Sequence, residues 1–120
     1  MKTIIAGSRD LSLSEMDIAH LDAMNITEVV CGGARGIDLA GKRWAESRGI
    51  PVKMFPADWD RHGKAAGPIR NQEMADYADA LVAFWDGRSQ GTADMIRRAT
   101  KAGLEVHIKT GLGNWVKSVS

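Results

Sequence analysis

A chain of 120 residues, 44% hydrophobic and 26% charged, is long enough to bury a core without disulfides or metal and too apolar to stay disordered. Sixteen Lys and Arg against fifteen Asp and Glu leave a net charge of +1, so no strong basic field draws duplex nucleic acid or an anionic membrane onto the surface. The single cysteine, Cys31, excludes an intrachain disulfide and a zinc site built on CxxC pairs.

No apolar run approaches the roughly 18 residues of a spanning helix. The apolar stretch within Met1–Gly7 is too short for a signal peptide. A cytoplasmic protein with no membrane partner is the expectation.

Thr3 to Ala6 reads as a short buried strand ended by Gly7-Ser8-Arg9-Asp10. Ser12 and Glu15 have capping-box spacing and predict a helix to about Met24, with Leu13, Met16, His20, Leu21 and Met24 on one face. Thr27 to Cys31 is a β-branched run that closes at Gly32-Gly33. A helix follows from Ile37 to Ser47, with Leu39, Ala40, Trp44 and Ala45 inward and Gly49 as its C′ residue. Pro51 to Phe55 is the third strand, and Pro56 to Gly67 a long charged loop. A helix from Pro68 or Ile69 to Ala78 precedes a fourth strand, Asp79 to Trp85. After a turn over 86–90, a helix runs from Gly91 to Ala102, with Met95, Ile96 and Ala99 inward, and Leu104 to Ile108 is the fifth strand. Residues 109–120 read as a tail or a short terminal element of the same single domain.

Strands that read as continuous apolar runs are buried on both faces, and their alternation with helices implies a parallel sheet. The predicted fold is therefore α/β: a Rossmann-like, doubly wound, mainly parallel five-stranded sheet with helices on both faces. Such folds bind ligands at the carboxyl ends of their strands. Glycine-bearing turns stand there after the first, second and fourth strands. Glycine lets a ligand approach the backbone, and a helix N-terminus attracts phosphate or carboxylate. Gly32-Gly33-Ala34-Arg35-Gly36 is not GxGxxG, so no dinucleotide cofactor is implied. Gly36 to Lys42 has P-loop letters, but Arg43 replaces the Ser or Thr and the match lies inside a helix.

Gly7-Ser8-Arg9; Gly32-Gly33-Ala34-Arg35-Gly36-Ile37-Asp38 with Ala40 and Trp44-Ala45; Phe55-Pro56-Ala57-Asp58-Trp59; Gly67-Pro68-Ile69-Arg70-Asn71; Met74; Ala78-Asp79-Ala80-Leu81-Val82-Ala83-Phe84; and Gly91-Thr92 form a set of motifs along the chain. Together they resemble the YspA, cpYpsA-related branch of the SLOG superfamily. The superfamily also contains the Lonely Guy hydrolases and the DprA/Smf DNA-processing proteins. The resemblance runs over about residues 1–108 and implies a nucleotide or nucleotide-derived ligand. Lonely Guy enzymes cleave the N-glycosidic bond of a nucleoside monophosphate. Arg70, Met74, Ala78-Asp79 and Gly91-Thr92 match their pattern, whereas Arg88 and Ser89 replace two glycines and Met95 stands at the position of the glutamate. A carboxylate is what stabilises an oxocarbenium-like transition state or activates water. Hydrolysis here would fall to Asp94, Asp86, Asp58 or Asp38, with Arg70 and Asp94 as the catalytic pair.

Arg70, Arg35 and Arg9 offer forks to phosphate oxygens, or are solvated charges at element ends. Asp38 suits a ribose hydroxyl, or simply a helix dipole. Asp58, Asp60 and His62 carry donors for a divalent cation but read equally as a solvated run; no metal or cofactor is assigned. Trp59 and Trp85 end strands and could stack on a base; Trp44 reads as core, and Trp115 as a cover for the sheet or a subunit contact. Cys31 reads as a buried small hydrophobe. The ligand-binding set is then Gly7, Ser8, Arg9, Gly32, Gly33, Ala34, Arg35, Gly36, Asp38, Asp58, Trp59, Arg70, Asn71, Asp86, Ser89, Gly91 and Thr92. Three functions compete: a nucleotide N-glycosidase, a non-catalytic sensor or sequestering module for a nucleotide signal, and a single-stranded DNA binder working by stacking in a local groove. A homodimer or higher homo-oligomer is compatible with any of them.

Overall fold

The computed structural model describes residues 1–33, 36–110 and 115–118. Its elements are β1 (Lys2–Gly7), α1 (Glu15–Ala23), β2 (Glu28–Cys31), α2 (Ile37–Ser47), β3 (Val52–Met54), α3 (Trp59–His62), a 3-10 turn (Gly63–Ala65), α4 (Ala66–Tyr77), β4 (Ala80–Phe84), α5 (Gln90–Lys101), β5 (Glu105–Lys109) and β6 (Trp115–Ser118).

One sheet carries all six strands in the order β3-β2-β1-β4-β5-β6. The first five run parallel, with Thr3 opposite both Val29 and Ala80. β6 is antiparallel to β5, with Lys109 opposite Trp115. The sheet therefore has six strands, where the sequence predicted five. A four-residue strand has too little periodicity to announce itself; its place depends on the β5 edge it pairs with.

Side chains alternate between two cores. Ile4, Ala6, Leu81 and Ala83 face Met74 and Ala75 of α4 and Met95 and Ala99 of α5. Ile5, Val82 and Phe84 face Leu21 of α1 and Ile37, Trp44 and Ala45 of α2. Every residue of β4 is buried, as its unbroken apolar run demands. Among the described residues, no helix is long and apolar enough to cross a membrane.

Three local expectations give way. The capping box is Ser14 with Asp17, not Ser12 with Glu15. Both pairs have the required spacing, but only the later start buries Asp17, where it pairs with Lys109 of β5. That start turns Met16 out to 78% exposure instead of inward, and Leu39 is likewise exposed on α2. The predicted loop over 56–67 contains α3 and the 3-10 turn, and α4 begins at Ala66 rather than Pro68. Asp58 nucleates α3 by accepting the Arg61 N–H at 3.1 Å, a cap that no hydrophobic period reveals.

Candidate functional site

β1 and β4 are neighbours, yet the chain leaves them in opposite directions, toward β2 and β3 on one side and β5 and β6 on the other. A crevice opens above the carboxyl ends of strands at such a point. Here it is a cleft of about 1130 Å³. Its floor is Ala6 and Gly7 of β1 with Gly32 after β2. Its walls come from Asp38 of α2, from Pro56, Ala57 and Trp59, from α4 as far as Met74 and from α5 as far as Arg97. A Cβ at Gly7 would lie 2.7 Å from both an Ile37 side-chain carbon and the Phe84 carbonyl oxygen, so only glycine lets β1, β4 and α2 converge at the cleft floor.

Arg70 projects from α4 across this floor. Its Nη1 donates to the Gly32 carbonyl at 2.8 Å and its Nε to the Asn71 amide oxygen at 3.1 Å. Both acceptors are neutral, and among the described residues no carboxylate forms an ion pair with this guanidinium, which brings a positive charge into the cleft. Its seat exists because residue 32 has no side chain: a Cβ there would stand 2.0 Å from Arg70 Nη1. Asn71 reaches the other way, donating to the Gly91 carbonyl at 3.3 Å and to Asp94 at 2.9 Å, which ties α4 to the start of α5.

Asp94 accepts three further-reaching donors: Asn71 and Arg98 Nε at 2.9 Å each, and Arg97 at 2.6 Å. Burial pushes its carboxyl up, but the Asn71 and Arg98 hydrogen bonds, with the charges of Arg98 and Arg97, carry it below the ordinary value. It is a fixed anion whose lone pairs are already engaged. Met95, beside it, is buried in the core between the sheet, α4 and α5.

The start of α5 is capped by Ser89, which accepts the Thr92 N–H at 3.3 Å. Asp86 shapes the turn before it, taking the Arg88 and Ser89 N–H groups at 2.8 Å each. Those two bonds hold the Asp86 carboxyl below its usual range. At Gly91 an added Cβ would meet nothing within 4 Å, so the fold leaves that backbone open toward the cleft.

Eleven of the candidate residues line the one cleft: Gly7, Arg9, Gly32, Asp38, Trp59, Arg70, Asn71, Ser89, Gly91, Thr92 and Asp94. Ser8, Gly33, Gly36, Asp58 and Asp86 do not line it. Ser8 is buried and accepts the Asp86 N–H at 3.3 Å, bracing two strand ends. Gly36 has φ +73°, and a Cβ there would strike the Arg9 carbonyl oxygen at 2.4 Å, so it sets the approach of two loops. Ala34 and Arg35 lie outside the described residues. Among the described residues, no three His, Cys, Asp or Glu side chains converge as metal ligands. Cys31 is buried against the Met54 sulfur at 3.2 Å, and burial pushes its thiol up. Trp85 is not in the cleft; its indole N–H is bound to the Ser89 carbonyl at 3.0 Å.

Sequence reasoning passed over Pro56, Gln90 and Arg97, which also line the cleft. Arg97 was detectable in principle, since 90, 93, 94 and 97 form one stripe on a helix.

A crystal structure of DNA processing protein A (DprA) from Streptococcus pneumoniae superimposes with a TM-score of 0.69 at 20% identity, covering 89% of this chain. The likeness is one of fold, and the chain spans about half (49%) of that protein. The gene 61 protein of Mycobacterium phage D29 is 46% identical over 84 residues, which is 65% of this chain and 67% of that protein. The model of the YspA, cpYpsA-related SLOG family matches residues 1–62. With just over half of its length matched and a β1-to-β4 switch-point cleft of the expected kind, the chain belongs to the YspA, cpYpsA-related SLOG family.

Proposed function

We propose that the cleft binds a nucleotide or nucleotide-derived ligand, without turning it over. The observation that carries this reading is the arginine seated on glycine. Arg70 lies across Gly32 with only neutral acceptors, facing a helix start left open at Gly91. A guanidinium with no ion-pair partner among the described residues, beside a helix N-terminus, favours a phosphate-bearing group. Trp59 lines the same cleft at 59% exposure, with its ring edge over Gly67, and offers a face on which a base can stack. At about 1130 Å³ the cleft exceeds what a phosphate alone would fill.

Binding is favoured over hydrolysis by the state of Asp94 and Met95. Asp94, one residue before the Lonely Guy glutamate position, is tied up by Asn71, Arg97 and Arg98, and Met95 is buried. An anion so engaged is poorly placed to take a proton from water.

The test is a thermal-shift screen against nucleoside mono-, di- and triphosphates, ADP-ribose, NAD and cyclic nucleotides, followed by chromatography of each stabilising mixture. A ligand at 100 times its dissociation constant adds about 2.7 kcal/mol of stability. The expected outcome is a stabilising nucleotide recovered intact, with the shift lost in Arg70→Ala and reduced in Trp59→Ala. Release of free base would replace this reading with the glycosidase. No stabilisation by any nucleotide, with retention of a fluorescent single-stranded oligonucleotide, would replace it with DNA binding.

A further inference from the structure

Gln90, Ala93, Asp94 and Arg97 of α5 all line the cleft, spaced three and four residues apart on one stripe. Two arginines on this helix hold Asp94, and they differ. Arg98 is the inner one: its Nε binds Asp94 Oδ2 at 2.9 Å while its Nη1 binds Gln72 Oε1 at 3.0 Å, so it is tied to α4 as well. Arg97 is the outer one. Its side chain is 68% exposed, and its bond among the described residues is to Asp94 Oδ1 at 2.6 Å.

Asp94 does not depend on Arg97, because Oδ2 is already satisfied by Asn71 and Arg98. An exposed ion pair at i,i+3 spacing contributes little, since solvent screens it and two side chains must be held still. A bidentate contact to a phosphate in a partly enclosed cleft is stronger. Side chains on a helix lean toward its N-terminus, so a released Arg97 sweeps over Ala93 and Gln90 toward the open backbone at Gly91.

We propose that Arg97 is a specificity-determining residue that exchanges Asp94 for the terminal phosphate of the ligand, and that Asp94 is a positioning residue which holds Arg97 until that exchange. The proposal rests on the nucleotide-binding reading above. It makes the cleft select for ligands that carry an anionic group at the α5 end.

The experiment is titration calorimetry with ADP as the probe and adenosine as the uncharged control, on the full chain. Arg97→Ala weakens ADP binding about tenfold or more, leaves any adenosine binding unchanged and melts with the wild type. Arg97→Lys keeps the charge without the fork and falls between the two. Asp94→Asn removes the competing charge and raises ADP affinity; a carboxylate that itself held the ligand would give a loss instead. If Arg97→Ala binds ADP as the wild type does while Arg70→Ala does not, the exchange is wrong and the nucleotide site stands. A fall in ADP affinity in Asp94→Asn overturns the positioning role. If the wild type binds no nucleotide, the site reading falls and the exchange with it.

Discussion

Gly32→Ala separates the seat of Arg70 from everything else in the fold. Gly32 does not have a positive φ, so alanine meets no backbone penalty there. The new Cβ would lie 2.0 Å from Arg70 Nη1 and 2.6 Å from Cζ. Real contacts need about 3.4 Å or more, so the guanidinium must move by well over an ångström and surrender its 2.8 Å bond to the Gly32 carbonyl. A hydrogen bond from a charged donor contributes about 1.5–3 kcal/mol when buried. Arg70 is half-exposed, and water recovers part of that, so a loss near 1.5 kcal/mol is expected. For a 120-residue domain this corresponds to a fall of about 6 °C in melting temperature. Urea unfolding followed by tryptophan fluorescence reads the change. Gly91→Ala is the companion: its Cβ meets nothing, and alanine in the first turn of α5 should hold or raise stability by up to about 1 kcal/mol. Both variants should lose nucleotide affinity, the first because Arg70 is displaced and the second because a methyl fills the ligand's approach. A Gly32→Ala protein that melts with the wild type and binds the same nucleotide equally well would refute the placement of Arg70.

Further predictions follow from the ionisable groups and the core. Burial and the nearby His107, with a smaller contribution from Lys117, depress the proton affinity of His20 below its ordinary 6.5, and Asp17 opposes them only in part. The unfolded chain then binds the proton more readily, so this stability is complete above about pH 6.5 and is lost as pH falls through the folded value; urea midpoints at about pH 8 and pH 5.5 should differ by less in His20→Gln than in the wild type. Asp17 is 2% exposed, and Ser14 and Lys109 hold its carboxyl low against the upward push of burial. Asp17→Ala should cost about 3 kcal/mol by stranding Lys109 and uncapping α1, which equilibrium unfolding will measure; a loss under 1 kcal/mol would show the pair to be dispensable. Met95→Glu restores the letter of the hydrolase pattern but buries a carboxylate among Met74, Ala75 and Leu81. Destabilisation by several kcal/mol, and no release of base on chromatography, is the expected result.

Much of the architecture was legible in the chain, for stated reasons. β4 had to be central because Ala80-Leu81-Val82-Ala83-Phe84 offers no polar face to solvent, and it is wholly buried between β1 and β5. The span of α2 followed from its apolar spacing and from Gly49, whose φ is +68°. Serine spacing was ambiguous: Ser12 and Ser14 compete for the same capping role, and an ion pair whose partners, Asp17 and Lys109, stand 92 residues apart decides between them. β6 was illegible for the same reason, since its register exists only against β5, with Trp115 stacked on His20 of α1 at 3.9 Å between ring centroids.

The candidate site divides along the same line. Local chemistry, read from the chain, determines that glycine turns end β1 and β2 and precede α5, that Arg70 and Asn71 sit early on α4, and that no glutamate stands at position 95. Which of these groups meet is a matter of distances across the sheet, and no local preference encodes them. The strand order brings Gly7, Gly32 and Gly91 to one cleft and leaves Asp58 and Asp86 as caps of their own turns. Helical spacing within α5 already sets Arg97 and Arg98 beside Asp94, at i,i+3 and i,i+4, and the packing of α4 on α5 adds Asn71 and ties Arg98 to Gln72. A sequence states which side chains carry charge and which pair along one helix; the fold decides which charges on different elements meet, because Asp17 and Lys109, or Asn71 and Asp94, bond only where packing brings them within about 3 Å.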